Sequence, residues 1–182
     1  KAGCVLGEEL LPLAEQLRDA PALANTHLML STQLYSLGEV ERSLQHAERG
    51  LAVFDPAAPP MPADLGILGS SCVAIACACL GRVTEAGAHA KEVLARATAL
   101  RNPFQSALAT NILAGMWSLL DDLPNTRALS EESIRIAAEH DLSFLRVTSS
   151  MLRSSCDVAE GRVAKGLASM LEAFEEYGTT GQ

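Results

Sequence analysis

The feature that most restricts this chain is a recurrence of turns. Four helix-length apolar segments end at Gly38, Gly81, Asp121 and Gly161, which lie 43, 40 and 40 residues apart, and each turn leads into a second helix-length segment. A helical hairpin of this size cannot bury its apolar face alone, so stacked copies are expected to share one continuous core. The expected fold is all-α, an α-solenoid of about four helical hairpins plus a leading helix. Helices are predicted at about 5–18, 22–37, 39–54, 64–80, 82–100, 104–120, 124–140, 144–159 and 162–177. The chain then reads as one domain over 1–182, with units at about 22–56, 64–101, 104–141 and 144–177, and with 1–20 as the helix of a preceding truncated unit.

Turn chemistry supports these breaks. Gly38 and Gly81 suit the left-handed position that closes a helix, and Asp55-Pro56 stops one. Asn102-Pro103 and Leu123-Pro124 punctuate the third unit, with Pro124 in a first helical turn. The stretch from Asp55 to Pro62 carries Pro56, Pro59, Pro60 and Pro62, cannot continue a helix, and is expected to be a stiff irregular connector.

Two helices cross closely only where side chains are short. Seven residues before each turn stand Ser31, Ala74, Ala114 and Ser154, and five residues after each stand Ser43, Ala86, Thr126 and Gly166. These eight are the expected crossing points of the hairpins. Apolar anchors follow at helical spacing: Leu30, Leu34 and Leu37, then Val73, Cys77 and Leu80, then Leu113, Trp117 and Leu120.

Composition removes several functional classes. With 48% apolar residues and 20% charged, the chain belongs with folded sequences. A net charge of −8, with no Lys/Arg cluster, argues against a nucleic-acid or anionic-membrane footprint. No apolar run reaches the roughly 20 residues a membrane helix needs. Three of five cysteines (Cys72, Cys77, Cys79) fall in one apolar helix, where a disulfide framework is implausible, which favours a reducing cytoplasm. The chain opens at Lys1 without Met or a basic leader ahead of an apolar run, and reads as a piece excised from something longer.

The small residues at the hairpin crossings resemble those of the tetratricopeptide repeat (TPR) family, and the resemblance covers nearly the whole chain. More narrowly, Leu37-Gly38-Glu39 followed by His46 to Pro56 looks like the repeat region of bacterial multidomain proteins that carry a signalling ATPase module, with a nucleotide-cyclase, kinase or DNA-binding domain elsewhere. Asn102-Pro103-Phe104 with Ala107-Leu108-Ala109, and Gly161 through Gly166-Leu167-Ala168-Ser169-Met170, extend the similarity. The resemblance implies a regulatory or sensor arm, without catalysis, in a larger signalling or transcription-regulating protein.

It also implies that the first helix of each hairpin lines a concave surface. The groove candidates are Asn25, Leu28, Thr32 and Tyr35, then Leu68, Ser71, Ile75 and Ala78, then Leu108, Asn111, Gly115 and Ser118, then Thr148, Met151 and Ser155. The first three units put no lysine or arginine on this face, so an apolar or hydroxyl-rich peptide or helix suits it. The fourth unit departs from the pattern with Arg153, Asp157 and Glu160. Arg153 and Asp157 are four residues apart, and read either as an intrahelical ion pair or as a charged groove contact. Partners are expected to be a protein or peptide, an adjacent domain of the same chain or a second copy, with no nucleic acid and no membrane. The alternative is an effector-sensing domain holding a small molecule between hairpins.

Catalytic and metal sites are not expected, and neither is a cofactor. Cys72 and Cys79 share a helix face with no histidine at ligand spacing. His46 and His89 are expected on outer, solvent-exposed faces, while His27 reads as a hydrogen-bonded packing histidine. Phosphate-binding glycine loops are absent. Ala86→Leu tests the hairpin register: overpacking a close crossing is expected to cost about 1–3 kcal/mol in chemical denaturation, and an unchanged stability would remove the crossing from that residue.

Overall fold

The structure is a computed structural model that describes residues 2–57 and 63–179. Pro59, Pro60 and Pro62 of the expected connector lie outside the described residues. These form helices and no strand: α1 (Ala2–Leu17), α2 (Ala20–Ser36), α3 (Val40–Val53), α4 (Leu65–Cys79), α5 (Val83–Leu100), α6 (Pro103–Leu119), α7 (Leu123–Glu139), α8 (Ser143–Ala159) and α9 (Val163–Thr179). The chain divides into two compact units, Lys1–Arg96 and Ala97–Gln182, with the division falling inside α5.

The turns are more regular than the glycines alone suggest. Left-handed residues occur at Arg18 and Gly38, twenty apart, and again at Gly81, Arg101, Asp121, Asp141 and Gly161, each twenty after the last. These seven turns therefore use the same backbone device, whether or not glycine is present. At six of them a backbone N–H reaches back five residues to close the preceding helix: Asp19 to Ala14, Glu39 to Leu34, Arg82 to Cys77, Asp122 to Trp117, Leu142 to Ala137 and Arg162 to Asp157. Side-chain caps then start the next helix, with Asp19 accepting from the Ala22 N–H, Asn102 from Phe104 and Asp122 from Asn125.

All eight small residues at the expected crossings are buried. Between α2 and α3 the Ser31 and Ser43 hydroxyls are 3.0 Å apart, and Ser43 also donates to the Ser31 carbonyl at 2.8 Å. Between α8 and α9 a Cβ on Gly166 would lie 2.8 Å from the Ser154 carbonyl oxygen and 2.6 Å from Val158 Cγ2. The fourth hairpin thus crosses at the residues expected for it. Leu30, Leu34, Val73, Cys77 and Leu113 are core, whereas Leu37 is 42% exposed, because it caps α2 at the turn rather than continuing the helix.

In the first unit α2 packs on α1, α3 and α4, and α3 packs on α4. Ala24, Leu28 and Leu65 form a core with Val53, Phe54 and Leu68 against it. Asp64 fastens the end of the proline-rich connector. It caps α4 through the Ile67 N–H at 2.9 Å and takes both ends of the Arg96 guanidinium, at 2.5 and 2.7 Å. Arg96 also stacks over the Phe54 ring, 4.8 Å from its centroid. Burial pushes the Asp64 carboxyl up, but the Arg96 and Ile67 hydrogen bonds outweigh it and hold the group below the usual carboxylate value. In the second unit α6 packs on α7 and α8, α7 on α8, and α8 on α9. Its core joins Ala107, Ile136, Ala137 and Leu145, with Phe104, Leu108 and Leu142 packed on them.

Two glycine substitutions separate crossing from open face. Gly166→Ala drives a Cβ into a backbone oxygen and is expected to cost about 1–3 kcal/mol. Gly115→Ala, in mid-helix with nothing within 4 Å of its Cβ position, is expected to gain about 0.5–1 kcal/mol. Urea denaturation measures both, and a gain at Gly166 would refute the close crossing.

Candidate functional site

The partly exposed faces of the first helices are the candidate surface in each unit, and each is built by contact between consecutive first helices. In the first unit α2 and α4 meet along a seam. The Tyr35 hydroxyl is hydrogen-bonded with the Cys79 thiol; burial first, and that thiol second, push the Tyr35 phenol above its ordinary value. Thr32 Oγ1 lies 4.0 Å from Cys72 Sγ and donates to the Leu28 carbonyl at 3.0 Å, as β-hydroxyl side chains on helices commonly do. Along α2 the accessible stripe is Asn25, Met29, Thr32 and Ser36; along α4 it is Leu68, Cys72, Ile75 and Cys79. Neither stripe carries a charge.

On α2 the structure departs from the sequence expectation at one position, Leu28, while Asn25, Thr32 and Tyr35 remain at least partly accessible. Leu28 is 4% exposed and belongs to the core, while Met29 is 45% exposed. Ser71 is likewise buried, as is Ala78, so neither offers surface to a partner. Cys79 is exposed at the seam, whereas Cys77 is buried and its thiol is pushed up by that burial. The signal for Met29 and Cys79 was present as helical spacing, but an apolar residue at either position reads as core without knowledge of the neighbour.

In the second unit the half-buried face of α6 is Leu108, Asn111, Gly115 and Ser118, and that of α8 is Thr148, Met151 and Ser155. Asn111 joins the two helices: its Nδ2 donates to Thr148 Oγ1 at 3.1 Å and to Ser149 Oγ at 2.8 Å. Ser149 continues to Ser133 at 2.8 Å, and Ser133 donates to the Ala107 carbonyl at 2.9 Å. A chain of small polar side chains therefore runs from the face through α7 and back to α6, with every buried hydroxyl in it satisfied. Ser133 and Ser149, fully buried, carry no sequence pattern that marks them as linked.

The charged group of the fourth hairpin is structural in its geometry. Asp157, 1% exposed, receives Arg153 at 2.6 Å, Lys165 at 3.1 Å, Arg127 at 3.3 Å and Arg162. The i,i+4 pair with Arg153 forms, and α7 and the start of α9 converge on the same carboxylate. Glu160 also takes Arg127, at 2.5 Å, and Arg162, while Glu131 takes Arg153 at 3.0 Å. The Arg162 hydrogen bond is the largest influence on Asp157; burial opposes it, Arg153 and Lys165 add to it, and the carboxyl is held well below its ordinary range. Asp157 therefore has no surface to give a partner, and Arg153 is half-buried with both of its acidic neighbours engaged.

His46, expected on an exposed outer face, is half-buried instead, and its Nδ1 is 3.0 Å from His27 Nδ1. Packing of α3 against α2 brings the two rings together, which sequence separation concealed. His89 Nδ1 lies 3.1 Å from Glu92 on its own helix. Among the described residues no three His, Cys, Asp or Glu side chains gather as a metal set, and no helix is long and apolar enough to cross a membrane.

Asp157→Asn leaves four cations around a neutral amide, whereas Glu160→Gln removes a more exposed partner. The first is expected to lower the thermal midpoint clearly more than the second at neutral pH. Because the folded-state pKa of Asp157 is depressed, its contribution is present above the unfolded value of about 3.9 and lost as pH falls below it. Equal midpoints for the two variants would reduce the cluster to surface pairing.

Compared with known proteins, the chain matches no family model and no curated protein sequence.

Proposed function

We propose that this chain is a non-catalytic protein-interaction scaffold, an α-solenoid of TPR-like hairpins that binds an apolar or hydroxyl-rich peptide or helix on the faces of its first helices. The observation that carries the reading is the repeated contact scheme. In the first unit α2 touches both its hairpin partner α3 and the next first helix α4; in the second, α6 touches both α7 and α8. Contact of this kind between consecutive first helices supports a reading as stacked solenoid repeats, and within each unit the described first helices keep a partly exposed face.

The chemistry of those faces sets the class of partner. Asn25, Met29, Thr32, Ile75 and Cys79 in the first unit, and Asn111, Gly115, Ser118 and Met151 in the second, combine methyl, thioether and hydroxyl groups with no charge. Methionine adapts to irregular apolar surfaces, and hydroxyls can bond a peptide backbone. Open space over Gly115 permits close approach of a partner's main chain. The resemblance of the repeats adds the biological frame: a regulatory or sensor arm of a larger bacterial signalling or transcription-regulating protein, with the partner supplied by another protein or by an adjacent domain.

Peptides selected from a random display library against the wild-type chain provide the test. Thr32→Arg and Gly115→Arg are each expected to change stability by no more than about 1 kcal/mol. Each is expected to weaken peptides bound to its own unit by at least about tenfold. Selected peptides that bind both variants with wild-type affinity would sink the groove reading.

A further inference from the structure

The geometry points to an acid-sensitive latch between α2 and α3: the His27–His46 hydrogen bond holds the hairpin while at most one imidazole is charged, and opens when both are. The two Nδ1 atoms are 3.0 Å apart, with ring centroids at 5.2 Å and planes tilted by 46°. A contact that short needs one Nδ1 to carry a proton and the other to offer its lone pair. One added proton is accommodated, because it goes to the Nε2 of the donor ring and leaves the Nδ1–H···Nδ1 bond in place. A second must go to the accepting Nδ1, where two N–H groups would point at each other. His27 is 7% exposed and His46 half-buried, so neither ring can swing freely into water to avoid the clash.

The surroundings add no strong compensation. From α1, Glu15 acts on His27 and Glu8 on His46, each favouring the charged form. From α3, Arg49 opposes charge on both rings and Arg42 opposes it on His46. Helix α2 has no charged side chain besides His27, and α4, which packs on both α2 and α3, has none within its length. Burial is the leading influence on both histidines, and both are held below the ordinary value. The unfolded chain therefore takes up more protons than the folded one as pH falls through about 6.5, and stability is full above that and declines below it. Asp64 and Asp157, whose carboxyls are depressed, lose their contributions only below about 3.9, so the two acid responses are separable. Opening the hairpin would displace α2, which carries Asn25, Met29 and Thr32; that consequence for a partner rests on the scaffold reading, while the latch does not.

Hydrogen exchange, corrected for the intrinsic pH dependence, tests the latch in the intact chain at about pH 7.5 and about pH 5. His46→Asn keeps a side-chain amide near the Nδ1 position but cannot take the second proton. In the wild type, α2 and α3 amides are expected to exchange at least about fivefold faster at the lower pH relative to those of α6 and α7, and His46→Asn is expected to remove that difference. The same acceleration in both proteins, or none in the wild type, would overturn the proposal. Should the variant not fold, imidazole nitrogen shifts of the wild type decide: two coupled steps, the second moving α2 and α3 amide signals, support the latch, and two independent steps near the ordinary histidine value overturn it.

Discussion

The closeness of backbones at the hairpin crossings is the constraint on which the rest of this structure depends. At α8 and α9 there is no room for a Cβ on Gly166 beside the Ser154 carbonyl, and at α2 and α3 the paired serines bond to each other and to the chain. Short side chains at these points let long aliphatic ones on either side reach across, which is how Leu30, Leu34 and Leu113 become almost wholly buried. A serine at such a site needs a hydrogen bond and finds one locally; an alanine needs nothing. The crossings therefore set the spacing at which each helix meets its neighbours and, through it, which residues remain on the open faces.

Regular turns make the crossings repeat. Left-handed residues twenty apart fix helix length and closure together, since the N–H that bonds five residues back also ends the helix. Where the residue is Arg18, Asp121 or Asp141 rather than glycine, the conformation is less favourable on its own, by roughly 1 kcal/mol or more, and packing of the two joined helices supports it. The connector at 54–64 is the exception to the spacing. There Asp64 and Arg96 supply by charge and hydrogen bonding what a tight turn supplies elsewhere.

Charge inside the chain is confined to places where a carboxylate gathers several donors. Asp64 meets Arg96 and a helix N-terminus, and Asp157 meets four cations from three directions. A single unpaired carboxylate at either site would be costly, and removal of one partner is harsher than replacement of both. The histidine pair of α2 and α3 differs, because burial disfavours the charged form of both rings. The faces proposed for partners are neutral.

Helices, their lengths and the crossing residues were legible in the chain itself, because apolar periodicity and the recurrence of small residues at fixed distances from the turns are local properties. Nine predicted segments correspond to the nine described helices with ends differing by at most three residues. The uncharged character of the first-helix faces was also legible, since composition along a stripe needs only the 3.6-residue period. Tertiary structure alone decided the rest. Leu28 and Met29 are adjacent and both apolar, and only the position of α4 and the Val53–Phe54 segment assigns one to the core and the other to the surface. Asp157 gained three of its four cations from outside its own helix, and His46 met His27 nineteen residues away. A sequence specifies which helix face is apolar; the neighbour that covers it, and the partner a polar side chain finds there, depend on distances that exist only after packing.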